Sequence, residues 1–343
     1  MTESALLRDI KAQPDSLGGV IARHSGSALS EPAKILRSAD HVIFTGMGSS
    51  LFACIPAAHL LIDNGVHASV VDAAELLYYQ TALCRPGTVV LLVSRSGETV
   101  EVLKLLSVLK QSKCRIIGVT NEPGSTLAKD AELAIITGSR SDQLVALQTY
   151  TGTVTTLLML AGVNQLESLP DALEQAILKL LAAAPEAAWA HALENTPAVY
   201  LLGRGPSLAS VWEGALLFNE SARKPSVGMG AAAFRHGPVE VVNQPFFAFV
   251  FATQPETAAL DRRLAGDIVA AGGRSLEIGP MGSEMPSISW LDPVLAPVLE
   301  IVVIQIAAWW LAERKGIAAG SFQFAPLVTS TEAGFEKPAR TGG

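Results

Sequence analysis

Short apolar runs that end in polar, glycine-containing turns recur along this chain, and a helix-period pattern follows each turn. The clearest example is Val89–Leu106, where β-branched residues lead into the turn Ser94–Thr99 and then into apolar positions spaced along one helix face. Val42–Leu51 and Val199–Leu208 show the same order around a G-x-G-x-S turn. Strands that alternate with helices predict an α/β fold with parallel sheets and helices on both faces.

The same pattern indicates an internal duplication. The strand and turn at Val89–Leu106 have a counterpart at Phe246–Leu264, and third strands follow at Cys114–Val119 and Arg274–Ile278. The second copy reads Ala252–Thr257 where the first reads Ser94–Thr99, and it has lost both serines. Ligands bind at the carboxyl ends of parallel strands, so we expect a ligand at these turns, mainly in the first half.

This organisation predicts five segments along the chain. They are an N-terminal helical segment (1–34), a first domain (35–165), a helical connector (166–196), a second domain (197–332) and a tail (333–343).

Composition narrows the class of protein. Of 343 residues, 49% are hydrophobic and 17% are charged, so a large folded core is expected. The net charge of −7 argues against a general nucleic-acid binder, which needs clustered basic residues. Cys54, Cys84 and Cys114 are isolated in the sequence, which fits a reducing compartment and predicts neither a disulfide framework nor a metal site. With no signal-peptide pattern at the N-terminus, we expect a cytoplasmic protein.

One apolar run, Val294–Ala312, is long enough to resemble a membrane span. It contains Pro297, Glu300 and Gln305, and a charged residue near a bilayer centre is costly. We therefore predict a buried helix, with no membrane partner.

The turn Ser94–Thr99, called the hydroxyl turn below, has the composition of an anion site. It combines Ser94, Ser96 and Thr99 with Arg95 and precedes a helix, whose first amides and dipole favour negative charge. An ordinary helix cap is the alternative interpretation. Neither glycine turn completes G-x-G-x-x-G, and no Gly-Lys-Ser/Thr occurs, so a nucleotide site has little support. A phosphate group is the predicted ligand.

Candidate acid–base residues lie in the second half. Glu213, Leu217 and Glu220 share one face of a predicted helix at spacings i, i+4 and i+7. His236, followed by Gly-Pro, is expected in a turn. A partly buried carboxylate and an imidazole suit proton transfer near neutral pH. Taken singly, such a glutamate is more often an ion-pair partner, and such a histidine a structural residue.

Six motifs, in their order along the chain, resemble those of the sugar isomerase (SIS) domain family. They are GMGSS, SRSGET, NEPGSTLAKDAELAI, LGRG, EGALLFNE and RHGP. The similarity covers residues 35 to 332 and is greatest to proteins with two tandem SIS domains, such as the isomerase half of glucosamine-6-phosphate synthase. It implies two tandem three-layer αβα domains, each with a five-stranded parallel sheet. It also implies a sugar-phosphate ligand, no cofactor, and a homodimer with active sites near the subunit interface.

The resemblance also implies roles for individual residues. Glu220 matches the base that moves a proton between C1 and C2 of the sugar, and His236 matches the residue that opens the ring, which can come from the neighbouring subunit. Glu213 matches a further site carboxylate. The positions that match phosphate binding, or line that turn, are Gly48, Ser49, Ser50, Ser94, Arg95, Ser96 and Thr99.

Two departures from the family leave the reaction open. Leu217 stands where the synthase has a site lysine, and Pro326 or Leu327 replaces the lysine that can form an imine with the open sugar. Imine chemistry by that lysine is excluded, and no glutaminase domain is visible. An enzyme acting on an amino- or amine-linked hexose 6-phosphate is expected, as an isomerase, a deaminase or a deglycase. The alternative is a non-catalytic phosphosugar-binding or sensor protein. The sequence does not name the sugar.

Overall fold

The computed structural model describes residues 3–184, 188–242, 245–280, 292–318, 322–324 and 328–332. The chain divides into two compact units. The first unit comprises Ser16–Leu166 and Phe322–Gly343, and the second comprises Met1–Asp15 and Glu167–Ser321. Each unit contains a parallel sheet with helices, which confirms the predicted α/β class.

The first unit follows the predicted alternation of strands and helices. Its elements are α1 (Ala5–His24, divided between the two units), α2 (Ser30–Arg37), β1 (His41–Gly46), α3 (Ser49–Phe52), α4 (Ile55–Asp63), β2 (Ala68–Asp72), α5 (Ala73–Tyr79), β3 (Thr88–Val93), α6 (Val100–Leu109), β4 (Arg115–Thr120), α7 (Thr126–Asp130), β5 (Leu133–Ile136) and α8 (Gln148–Ala161).

The first sheet is buried on both faces. Its five parallel strands have the order β2-β1-β3-β4-β5. Val89 and Leu91 pack into one apolar cluster, whereas Val90 and Leu92 pack into another. Because successive side chains of a strand point to opposite faces, the two clusters lie on opposite sides of the sheet. This explains why β3 reads as a continuous apolar run instead of an alternating one.

The second unit repeats this order. Its elements are α9 (Leu169–Ala183), α10 (Ala188–Asn195), β6 (Val199–Gly203), α11 (Leu208–Ser221), β7 (Ser226–Gly230), α12 (Ala231–Phe234), β8 (Phe247–Phe251), α13 (Ala258–Ala270), β9 (Arg274–Ile278) and α14 (Ala296–Arg314). Its described strands, all parallel, have the order β7-β6-β8-β9. Five strands were expected here, but the described residues form four. Residues 281–291, which follow β9, lie outside the described part of the chain.

Helix α14 is the buried helix predicted from its apolar run. The segment Pro293–Arg314 is long and apolar enough to cross a membrane, yet 83% of its most apolar window is buried inside the fold. Every residue from Ala296 to Ala308 is buried, including Glu300 and Gln305. The amide of Gln305 is paired with that of Gln13 from α1 at 2.7 Å, which satisfies polar groups that would otherwise be costly in this core.

Candidate functional site

The hydroxyl turn lies where the strand order of the first sheet reverses. The chain passes from β1 to β2 on one side of β1 and later forms β3 on the other side, with Gly46 opposite Val93. A Cβ atom on Gly46 would lie 2.6 Å from the carbonyl oxygen of Val93, so only glycine permits this approach. The turn after β1 and the hydroxyl turn after β3 therefore meet at one edge of the sheet, the usual ligand position in such folds.

Hydrogen bonds within the hydroxyl turn hold its side chains in place. The Oγ of buried Ser94 lies 3.0 Å from the Thr99 Oγ1 and accepts the amide of Gly97 at 3.1 Å. The Oγ of Ser96 accepts the amide of Glu98 at 3.2 Å. Each of these hydroxyl groups keeps further hydrogen-bonding capacity, because a hydroxyl has one donor and two acceptor positions.

Gly97 is required by the shape of this turn. Its φ of +65° lies in the left-handed region, which side chains other than glycine rarely adopt. A Cβ atom there would collide with the side chain of Ser125, at the start of α7. The glycine seen in the sequence therefore has a structural role in addition to its place in the motif.

The N-terminus of α6 is only partly open to a ligand. Thr99 is the N-cap residue, but it makes no capping hydrogen bond with its side chain, which contacts Ser94 instead. The amide of Val100 donates to the carbonyl oxygen of Thr329 at 3.1 Å. The first amides of a helix have no acceptor within the helix, but for Val100 a distant segment supplies one.

Arg95 ties the turn to the neighbouring strand. Its carbonyl oxygen accepts the Thr120 hydroxyl and the Asn121 amide, each at 3.0 Å. Its guanidinium group donates to the carbonyl oxygen of Leu144 at 3.5 Å. Arg95 is therefore held through its backbone, and its side chain contacts the segment before α8.

The other proposed phosphate-binding positions open the short helix after β1. Gly48 has a φ of 50° and is the N-cap of α3, and Ser49 and Ser50 are its first residues. All three are partly exposed. They follow Gly46, which lies beside the end of β3, so the structure brings them to the same edge as the hydroxyl turn.

A contact that the sequence did not reveal lies beside this edge. Glu332 accepts a hydrogen bond of 2.6 Å from the Tyr78 hydroxyl and pairs with Lys104 on α6. The hydrogen bond from Lys104 lowers the pKa of the Glu332 carboxyl group, and that from Tyr78 acts in the same direction. Residues 328–332 thus lie against α5 and α6, and nothing in local periodicity could have indicated it.

The candidate acid–base residues lie in the second unit. Glu213, Leu217 and Glu220 all belong to α11, as predicted; Glu213 and Leu217 are buried and Glu220 is partly exposed. His236 follows α12 in an exposed turn, where its amide donates to the carbonyl oxygen of Ala233 at 3.0 Å. The hydroxyl turn and these residues belong to different units.

Metal and thiol chemistry can be checked for the described part of the chain. Among the residues that the structure describes, no group of His, Cys, Asp and Glu side chains has the arrangement of a metal site. Cys54 and Cys84 are buried, and burial raises the pKa of the Cys84 thiol to about 11, so that thiol is a poor nucleophile. The family lysine replaced by Pro326 or Leu327 falls on 325–327, outside the described residues.

Comparison with known proteins finds relatives of this chain. Residues 35–163 match the SIS domain. Glutamine–fructose-6-phosphate aminotransferase [isomerizing] from Pyrobaculum aerophilum is 26% identical over 338 residues, covering 91% of this chain and 55% of the relative. The Arabidopsis thaliana enzyme of that name is also 26% identical, covering 84% of this chain and 46% of its own length. The chain thus spans about half the length of these curated relatives.

Solved structures share the fold. The C-terminal domain of glucosamine-fructose-6-phosphate aminotransferase from Francisella tularensis has a TM-score of 0.79 at 19% identity, covering 92% of this chain and 96% of that one. Glucosamine-6-phosphate deaminase from Thermotoga maritima has a TM-score of 0.75 at 22% identity, with the same coverage of both chains. Residues 35–163 are therefore a SIS domain, and the chain is homologous to the isomerase domain of glutamine–fructose-6-phosphate aminotransferase.

Proposed function

We propose that this protein binds a sugar phosphate at the hydroxyl turn and is an enzyme acting on an amino- or amine-linked hexose 6-phosphate. The observation that carries the proposal is the grouping of three hydroxyl side chains at the start of α6, with no side-chain cap on that helix among the described residues. Phosphate binding at a helix N-terminus uses both the amides and the helix dipole. The SIS match includes this turn.

The arrangement favours an anion over an ordinary cap. The Thr99 hydroxyl could have capped α6 but is hydrogen-bonded to Ser94 instead. Ser96 and Thr99 are partly exposed, whereas Ser94 is buried beneath them. We assign phosphate contacts to Ser96, Thr99 and Ser50, with Ser94 holding Thr99 in place, Gly48 and Ser49 lining the turn, and Arg95 adding a positive charge.

Chemistry is assigned to the second unit. In this proposal Glu220 moves a proton between C1 and C2 of the open sugar, and His236 exchanges a proton with the ring oxygen. Both roles match proton transfer by positioned side chains near neutral pH. Glu213 is the further site carboxylate. Leu217, a buried apolar residue, stands where the synthase has a site lysine, so in this proposal the reaction proceeds without that positive charge.

We also infer that the second unit is a second SIS domain and that the protein is a cytoplasmic homodimer with active sites near the subunit interface. The strand order β7-β6-β8-β9 has the same connectivity as β2-β1-β3-β4, which supports the duplication. Size-exclusion chromatography with light scattering measures the oligomeric state, and a monomer at working concentration would contradict the dimer.

The test is a thermal-shift screen with hexose, hexosamine and fructosamine 6-phosphates, followed by assays of isomerisation and of ammonia or amine release. We expect at least one compound to stabilise the wild-type protein and to be turned over. Glu220→Gln should lose turnover and keep binding, whereas Glu313→Gln, at an exposed position of α14, should keep both. Binding without turnover of any compound would instead support the phosphosugar sensor.

A further inference from the structure

The second unit contains a counterpart of the hydroxyl turn. Strands β6 and β8 are neighbours, as β1 and β3 are, and the chain reverses its direction of travel across the sheet between them. The turn Gly203–Ser207 follows β6, and the turn Ala252–Thr257, called the second turn below, follows β8. By position in the fold, this junction is where a second phosphate would bind.

A carboxylate of the same unit occupies this junction. Glu300 of α14 is fully buried, and its Oε2 accepts the Thr253 hydroxyl at 2.7 Å and the Ser207 hydroxyl at 3.2 Å. The two hydroxyl oxygens are 2.8 Å apart. The side-chain amide nitrogen of Gln254 lies 3.4 Å from the hydroxyl oxygen of Ser207. One carboxylate thus gathers donors from both turns.

The carboxylate also lies at the start of a long helix. Ser207 is the N-cap of α11, whose 14 residues begin at Leu208, and it makes no capping hydrogen bond with its side chain. Its hydroxyl group donates to Glu300 instead. The negative charge is therefore placed beside the positive end of the helix dipole, as a phosphate would be.

The positively charged side chain beside this junction also pairs with a carboxylate of the same unit. Arg204, between the two glycines of its turn, forms an ion pair of 2.8 Å with Asp261, which is buried at the start of α13. The polar groups that could face a ligand are therefore directed to carboxylates of the same unit, Arg204 to Asp261 and Ser207 with Thr253 to Glu300.

Packing alone gives no reason for an acidic side chain here. The Oε1 of Glu300 is buried and has no hydrogen-bond partner among the described residues. Burial raises the pKa of Glu300 to about 7, and the hydroxyl groups of Thr253, Ser210 and Ser207 act in the opposite direction. An apolar side chain would avoid this desolvation cost. The hydroxyl groups around Oε2 offset part of this cost for the ionised form, and they are the donors that a bound anion would use.

We propose that Glu300 is a built-in anionic ligand that fills the second copy of the phosphate site, and that removing its carboxylate leaves a site for a small oxyanion. A consequence is that one site per chain, at the hydroxyl turn, stays open to sugar phosphates. That consequence rests on the proposed function, whereas the occupancy of the second site does not.

The test removes the carboxylate and supplies a small one. Thermal unfolding of Glu300→Ala is followed at about pH 8 in increasing sodium formate, with sodium chloride added to keep ionic strength constant. We expect the variant to unfold at a lower temperature than the wild type and to regain several degrees saturably with formate. Inorganic phosphate is a second probe, read as the difference from the wild type, because the hydroxyl turn remains in both.

Three controls locate the effect. Wild type and Glu300→Gln, in which the position stays filled, should show no saturable formate effect. Adding Ser207→Ala and Thr253→Val to Glu300→Ala should abolish it. A folded Glu300→Ala variant that responds to formate no more than the wild type would overturn the proposal. Failure of formate rescue leaves the sugar-phosphate assays of the hydroxyl turn unaffected, so the two proposals fail separately.

The variant could also fail to fold in buffer. If formate restores its folding, the proposal is supported; if it stays unfolded with formate while Glu300→Gln folds normally, no anion is needed there and the proposal is overturned. If neither variant folds, carbon-13 NMR of the wild-type side chain decides. An ionised Glu300 at about pH 8 to 9 supports the proposal, and a carboxyl group that stays protonated contradicts it.

Discussion

At the scale of single residues, the hydroxyl turn shows what sequence reasoning captures and what it does not. Its hydroxyl side chains and its glycine could be identified from their position between a strand and a helix. The pairing of Ser94 with Thr99, and the acceptance of the Val100 amide by Thr329, could not. The first depends on how the turn folds back, and the second joins positions far apart in the chain.

Removing one hydroxyl of this turn tests its proposed role. We expect Thr99→Val to weaken sugar-phosphate binding by about tenfold to about a hundredfold, because a hydrogen bond to a charged group contributes about 1.5 to 3 kcal/mol. Isothermal titration calorimetry measures the change. Thr155→Val makes the same chemical change on α8, where the Thr155 hydroxyl is buried without a hydrogen-bond partner in the described structure, so its affinity should equal that of the wild type.

A second expectation concerns the backbone of the turn. Gly97→Ala introduces a Cβ atom against Ser125 and requires a strained φ, so we expect a loss of unfolding free energy of about 2 kcal/mol or more. Urea denaturation measures it. Gly124→Ala is the matched control, since a Cβ atom there meets no atom within 4 Å. Equal effects of the two substitutions would show that the turn is not constrained as described.

At the scale of elements, apolar runs located six of the nine described strands to within one or two residues, whereas β2, β5 and β7 were not predicted. The run predicted at Cys114–Val119 is observed as Arg115–Thr120, and that at Arg274–Ile278 coincides with β9. The position of residues 328–332 against α5 and α6 had no such signal, because an extended segment held by polar contacts to Tyr78, Lys104 and Val100 has no periodic pattern.

Helix α11 gives a test at this scale. Leu217→Lys introduces the lysine that the resemblance implies for this position and places an ammonium group where the side chain is 2% exposed, so we expect the unfolding free energy to fall by about 3 kcal/mol or more. Leu216→Lys changes the neighbouring, partly exposed residue and should cost much less. Urea denaturation of both variants measures the difference. If Leu217→Lys is as stable as Leu216→Lys, the face of α11 is assigned wrongly.

Helix α14 links stability to pH. The pKa of Glu300 rises from its ordinary 4.5 to about 7 on folding, so the folded protein binds the proton more tightly than the unfolded chain. The free energy of unfolding of the wild type, compared with that of Glu300→Gln, is therefore highest below about pH 4.5. It falls by about 3 kcal/mol in total as the pH rises through about 7. Denaturation at a series of pH values measures the difference between the two proteins. A difference that is constant between about pH 4 and 8 would contradict the shifted pKa.

At the scale of the whole molecule, the sequence predicted a duplication and showed that the second turn has no serine at the positions of Ser94 and Ser96. The contact between the second turn and Glu300 was not predicted. Glu300 lies 47 residues from Thr253 and belongs to a run that reads simply as a buried helix. A buried acid in an apolar helix indicates that a partner exists, but only the fold shows that the partner is the second turn.

The two turns therefore predict an unequal stoichiometry. Although both sheets have the same strand order around such a turn, calorimetry with a hexose 6-phosphate that binds should give one site per chain, and Ser96→Ala with Thr99→Val should remove it. Two sites of similar affinity would show that the second junction is open. No binding by the wild type, with normal folding, would contradict the site at the hydroxyl turn.

The continuous burial of α14 has a consequence for local motion. Amide hydrogens exchange with solvent when their region opens, and the slowest belong to buried, hydrogen-bonded segments that open only with their whole cooperative unit. Because every residue from Ala296 to Ala308 is buried, the centre of this helix should hold the slowest-exchanging amides of the second unit. Glu300 sits within that segment, so solvent protons reach its carboxylate at the rate at which the core itself opens.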